Sequence, residues 1–224
     1  MAFIDRINES AAMTKNLHFL YIPAFLLLMA CLSLSPRKDE IIFNGKNFNG
    51  WEGDTVKTWR IEESAITGGS LTEKVDHNYF LCTKKSYENF VIRVKFKLTG
   101  TEGFINTGVQ FRSKRAESPD YEMIGYQADL GDGYWGSLYD ESRRNKTLIH
   151  PDSTLIKKIL KPGDWNDYEV KCENRRIRIS LNGRQTIDYT ETDPSIPQKG
   201  IIGLQIHGGG KAKVAFKDIV LREL

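Results

Sequence analysis

Three short stretches place glutamine two residues before a side chain that can carry or move charge. "GVQFRSK" holds Gln110 and Arg112, "GYQADLGD" holds Gln127 and Asp129, and "GLQIHGG" holds Gln205 and His207. Their neighbours, Val109 and Phe111, Tyr126 and Ala128, Leu204 and Ile206, are mostly apolar. Side chains on a strand alternate between faces, so each stretch sends its two polar members to one side. Side by side, three such strands make a floor of amides carrying an acid, a guanidinium and an imidazole. Planar amides both donate and accept hydrogen bonds, which suits sugar hydroxyls. Asp129 and His207 are candidates for proton transfer, and Arg112 for steadying developing negative charge. Trp51, Trp59, Trp135, Tyr134 and Tyr139 could offer faces to a pyranose ring, although Trp59 in "TWRIEE" reads more readily as core.

The elements that must position these residues are strands. "FVIRVKFKLTG" sets Ile92, Val94, Phe96 and Leu98 against Arg93, Lys95 and Lys97, a period of two. "RIRISLNGRQTIDY" alternates Ile177, Ile179 and Leu181 before Asn182-Gly183, a hairpin signal. "KGIIGLQIHGGG" alternates Ile202, Leu204 and Ile206, and "KVAFKDIVLREL" ends the chain as a strand. No segment carries a sustained helical stripe. The pattern predicts an all-β, two-sheet antiparallel jelly-roll sandwich over residues 41–224.

The stretch "LGDGYWGSLYDESRRNK" matches G-x-G-x-x-G at Gly131, Gly133 and Gly136. A dinucleotide loop needs a strand before it and a helix after it, and "SLYDESRRNK" has no helical periodicity. H-E-x-x-H, G-x-S-x-G and the phosphate-loop pattern are absent from the sequence. Asp129, Asp132 and Asp140 are a possible oxygen set for Ca2+ or another divalent metal, but their spacing fits no standard loop. The net charge of +3 in 224 residues, with acids and bases interleaved, argues against a nucleic-acid partner.

Residues 1–30 differ from the rest. "MTKNLHFLYIPAFLLLMAC" has a basic Lys15 and a mostly apolar run from Leu17 to Ala30, shorter than the roughly 20 residues of a spanning helix. It reads as a signal-peptide core that in effect begins at Met13. Leu28-Met29-Ala30-Cys31 resembles a bacterial lipoprotein signal, with Cys31 as the lipidated residue and 31–40 as a tether. The expected location is therefore the cell envelope, anchored to a membrane by lipid on the periplasmic side or at the outer membrane. Cys82 and Cys172 remain, either as a disulfide or as two separate buried thiols.

Five stretches in order, "IIFNGKNFNGW", "YENFVIRVKFKLTGTEGFINTGVQFRS", "GYQADLGDGYWGSLYDESRRNK", "KPGDWNDYEVKCENRRIRISLNGRQTIDY" and "GIIGLQIHGGG" with "VAFKDIVLREL", together resemble the 3-keto-disaccharide hydrolase family over about residues 40–224. The resemblance implies a concanavalin A-like jelly roll of lectin and glucanase type, acting on a glycoside or oligosaccharide. It implies that the stretch around Trp135 overhangs a sugar groove, with Gln127, Asp129, Trp135, Tyr139 and Arg143 in the motif region; Gln110 and Gln205 join them as candidate sugar contacts. Glycosidases of this fold pair two carboxylates on one strand, whereas Gln127-x-Asp129-x-x-Asp132 leaves that pair incomplete. A 3-keto sugar has an alternative, because its ketone acidifies the C2 hydrogen. Asp129 or His207 is then the expected base and Arg112 or Arg143 the enolate stabiliser, leading to hydrolysis or to elimination and hydration. A carbohydrate-binding lipoprotein without chemistry and a conventional endoglucanase are the competing readings.

Overall fold

The computed structural model describes residues 38–224; the leader, Cys31 and the tether up to residue 37 lie outside the described residues. Among the described residues the elements run β1 (Glu40–Ile41), β2 (Trp51–Glu52), β3 (Trp59–Glu62), β4 (Ala65–Gly69), β5 (Tyr79–Thr83), β6 (Phe90–Gly103) and β7 (Asn106–Arg115). They continue with β8 (Met123–Gly131), β9 (Ser137–Glu141), β10 (Lys146–Ile149), α1 (Ser153–Ile159), β11 (Asn166–Glu173), β12 (Arg176–Leu181), β13 (Arg184–Thr190), β14 (Ile201–Ile206) and β15 (Gly210–Glu223). One sheet has the order β13-β12-β11-β6-β15-β4-β3, with β1 on β15, and the other β10-β9-β8-β7-β14-β5-β2. Every pairing is antiparallel, and the two sheets make the expected jelly-roll sandwich.

Alternation builds the core as predicted. Ile92, Val94, Phe96 and Leu98 of β6 meet Val109 and Phe111 of β7 and Ile202, Leu204 and Ile206 of β14 in one buried cluster. Asn182 and Gly183 both have positive φ, 47° and 74°, as a two-residue turn matched to strand twist requires. Cys82 and Cys172 are separate buried thiols, which closes the disulfide alternative. Burial pushes them to about 11 and about 12, so neither is a reactive thiolate.

Two features depart from simple alternation. Helix α1 is only seven residues long, and Ile156 is its one buried residue, so no stripe announces it. It is fixed instead by Asp152, whose side chain accepts the Thr154 N–H at 2.7 Å. In β7 the register slips between Phe111 and Lys114, where Arg112 has a φ of 49°. That bulge adds a residue and re-aims the side chain.

At the β8–β9 side of the core two acids and two arginines are interlocked. Tyr126 donates to Glu191 at 2.5 Å, and Arg144 reaches the same carboxylate at 2.6 Å while also bonding Asp140. Arg143 donates to Asp140 at 2.9 Å and lies 4.5 Å over the Tyr126 ring. Burial opposes the charge on Glu191, but Arg144 and Tyr126 outweigh it and hold the carboxyl at about 2. Its stabilisation is therefore complete above the ordinary glutamate range and is lost as pH falls toward about 2. Glu191→Gln removes one of the two carboxylates that hold Arg144 and is expected to cost about 3 kcal/mol in urea unfolding at neutral pH. A loss under about 1 kcal/mol would class the pair with exposed ion pairs.

Candidate functional site

The outward face of the seven-stranded sheet is organised in two rows across five strands. Strand register aligns Cys82, Gly203, Gln110, Gln127 and Tyr139 in one row, and Phe80, Gln205, Gly108, Asp129 and Ser137 in the next. Gly108 is the gap in this lattice. A Cβ there would come within 2.7 Å of Gln127 Cδ, so glycine lets Gln127 cross to Gln205 and donate to its Oε1 at 3.2 Å. Asn106, at the start of β7, donates to Asp129 Oδ1 at 2.9 Å, and the Leu130 N–H donates to the same oxygen at 2.8 Å.

A hollow of about 180 Å3 opens over this face, lined by Asn106, Gln127, Asp129, Tyr139, Glu141 and His207 with Phe104, Tyr134 and Asn145 at its walls. Several buried polar atoms have no partner: Asn106 Oδ1, Gln127 Oε1, Gln205 Nε2 and both ends of Gln110. Such atoms are costly unless something polar satisfies them. Phe104 stands edge-on to both His207 and Tyr134, and Tyr139 donates to Asn145 at 2.9 Å, giving the hollow aromatic walls of fixed orientation.

Asp129, Glu141 and His207 are displaced from their ordinary values. Burial raises Asp129 to about 6 against the pull of Asn106 and the Leu130 N–H. Burial, then the nearby Glu122 and Asp129 charges, raises Glu141 to about 7. Burial lowers His207 and keeps the ring neutral, with Nδ1 2.6 Å from the Gly208 carbonyl, so Nδ1 is assigned the proton and Nε2 the free lone pair. No lysine or arginine lines the hollow.

Alternation correctly brings Gln127, Asp129 and His207 together, with Tyr139 beside them. Gln110 and Gln205 share the face but are fully buried one step behind the opening. Arg112 is not part of the site. Its bulge turns it away, and its guanidinium donates to the carbonyls of Glu88 and Asn174 at 2.7 Å and to Gln198, tying loops together. Arg143 is likewise diverted, onto Asp140 and Tyr126. Trp135 lines an adjacent groove rather than the hollow, while Trp51 and Trp59 are buried in the core. The three candidate Ca2+ ligands diverge: Asp129 faces the hollow, Asp140 the arginines, and Asp132 accepts from Trp135 Nε1 at 3.2 Å. Among the described residues no three His, Cys, Asp or Glu side chains gather to hold a metal. Glu141, Asn106 and Asn145 were not anticipated; only the period-two step from Tyr139 points to Glu141.

A two-sheet antiparallel jelly-roll sandwich is the fold that this chain shares with solved glycosyl-hydrolase-like and carbohydrate-binding structures. Within it, the chain belongs to the family of the 3-keto-alpha-glucoside-1,2-lyase-like domain, whose model matches residues 38–222. It is 22% identical over 170 residues to a 3-keto-disaccharide hydrolase of Bacteroides thetaiotaomicron, covering 66% of this chain and 57% of that protein. The chain thus spans little more than half of that relative's length. A provisionally assigned glycosyl hydrolase from Parabacteroides distasonis superposes with a TM-score of 0.62 at 22% identity, over 83% of this chain and 94% of the other. The carbohydrate-binding module CBM66 of Bacillus subtilis gives 0.60 at 18% identity, over 78% of this chain and 96% of the module.

A 13C carboxyl NMR titration is expected to give midpoints of about 6 for Asp129 and about 7 for Glu141. Midpoints near 4 for both would mean that water, rather than protein, surrounds them.

Proposed function

We propose that the protein cleaves the glycosidic bond of 3-keto glycosides by abstracting the C2 proton. The carboxylate of Asp129 takes that proton, and its electron pair passes to the C3 oxygen as an enolate. The enolate re-forms the ketone as the C1–O bond breaks, leaving a C1–C2 double bond. Protonated Glu141 gives its proton to the departing oxygen. Addition of water across the double bond then completes net hydrolysis to the 3-keto sugar. The description of the family as a 1,2-lyase supports this order of events.

The observation that carries the reading is the pair of buried carboxyls, at about 6 and about 7, in one hollow. At neutral pH one is mostly ionised and the other about half protonated, the states a base and an acid need. With Arg112 and Arg143 placed elsewhere, the enolate is met by neutral donors of the lining, among them the side-chain amide of Asn106. His207 Nε2 accepts from a sugar hydroxyl. A positioned acid or base contributes roughly 10²–10⁴-fold each. A sugar-binding module needs hydroxyl recognition but no matched acid and base, which sets the non-catalytic reading second. We further propose that the enzyme works in the cell envelope, tethered through lipid on Cys31.

Asp129→Asn is expected to lower turnover of methyl 3-keto-α-glucoside by at least about 100-fold. The fold should persist, and stability above pH 6 should be equal or higher, because a carboxyl raised to about 6 costs folding energy when it ionises. Cleavage of the plain glucoside instead would support an endoglucanase, and saturable binding without products a lectin. Near-wild-type turnover by Asp129→Asn would remove Asp129 as the base.

The dependence of kcat/KM on pH should be a narrow bell, rising through about 6 as Asp129 ionises and falling through about 7 as Glu141 deprotonates. Glu141→Gln should remove the falling limb. A profile flat to pH 9 would reject Glu141 as the acid.

A further inference from the structure

A second cavity of about 620 Å3 lies beside the β8–β9 turn, lined by its Gly133 and Trp135. Trp135, Ile156, Leu160 and Pro151 make it largely apolar, and Ser137 and His150 supply a polar pair, with Ser137 Oγ 3.2 Å from His150 Nδ1. Trp135 is fixed in place: it stacks on Phe96 at 6.3 Å, and its Nε1–H is held by Asp132. Apolar walls around a few convergent polar groups, at this volume, are what small-molecule sites share.

The two cavities divide one cross-strand pair between them. Asp129 lines the hollow, and its register partner Ser137 lines the groove. Opposed side chains on neighbouring antiparallel strands stand roughly 5 Å apart. Consecutive residues of the turn divide likewise, Tyr134 toward the hollow and Trp135 toward the groove.

We infer that the groove is the leaving-group subsite and that it selects glycosides with a flat, apolar, preferentially aromatic aglycone. This rests on the proposed C2 abstraction by Asp129, because C1 is the adjacent carbon and its substituent must project within one or two bonds of that carboxylate. The hollow holds only a sugar-sized group, so the remainder of the substrate passes Ser137 into the groove. A flat aromatic group gains more contact from Trp135, Ile156, Leu160 and Pro151 than a second sugar, whose hydroxyls only Ser137, His150, Ser153 and Lys157 could meet. An aryl group buries its faces there.

The test compares kcat/KM for phenyl and methyl 3-keto-α-glucosides, together with quenching of tryptophan fluorescence by free 4-nitrophenol. The wild-type protein should prefer the phenyl substrate by at least about tenfold. Ser153→Trp, which fills the groove from an exposed helix position, should collapse that ratio toward one and abolish saturable quenching. Trp135→Leu, checked for folding by circular dichroism, should reduce the ratio in the same direction. Equal rates for the two substrates, or a preference that survives Ser153→Trp, would overturn the inference. If neither substrate is turned over, the proposed chemistry fails, and 4-nitrophenol alone decides the groove. Quenching lost in Ser153→Trp would uphold an aromatic site, and absence of saturable quenching would reject it.

Discussion

The outward face of the seven-stranded sheet keeps amides and carboxyls out of water while leaving several of their atoms unpaired. That constraint underlies the rest of the molecule. Burying a polar group without a partner costs on the order of 1–3 kcal/mol, and here Asn106, Gln110, Gln127 and Gln205 all contain such atoms. The face survives because the opposite face of the same strands is wholly committed to the core, through Val109, Phe111, Ala128, Leu130, Leu204 and Ile206. Gly108 completes the arrangement by letting Gln127 reach Gln205 across a strand that would otherwise separate them. The core thus supplies the rigidity that keeps unsatisfied groups in place for a ligand.

How much of this was legible in the sequence follows from where period-two alternation holds. It holds through β6, β8, β12 and β14, so the inner faces and the outward placement of Gln127, Asp129, Gln205 and His207 could be read directly. It fails at Arg112 because one extra residue in β7, with positive φ, shifts everything after Phe111. Nothing in "GVQFRSK" signals that bulge. Alternation holds again in "SLYDESRR", where adjacent Asp140 and Glu141 face opposite sides. Asp140 enters the core to meet two arginines, while Glu141 enters the hollow. Which of the two acids reaches the hollow follows only from the step of two that separates Glu141 from Tyr139. Helix α1 was hidden for a simpler reason: with Ile156 as its one buried residue it shows no stripe.

The diversion of both arginines is more than an error of placement, because it bears on the electrostatics of the hollow. An opposite charge within about 4–6 Å typically lowers a carboxyl by 1–3 units. Arg112 or Arg143 in the hollow would therefore return Asp129 and Glu141 to the ordinary range, where neither is matched to proton transfer near neutral pH. Glu191 shows the effect within the same molecule: burial pushes its carboxyl up too, but Arg144, Tyr126 and the Asp193 N–H bring it to about 2. Asp129, with only amides and an N–H for company, stays at about 6. One fold thus contains both outcomes, set by where its guanidinium groups are tied. Fastening Arg112 to loop carbonyls and Arg143 to Asp140 leaves the hollow to neutral donors, and it is that neutrality which lets burial tune its acids.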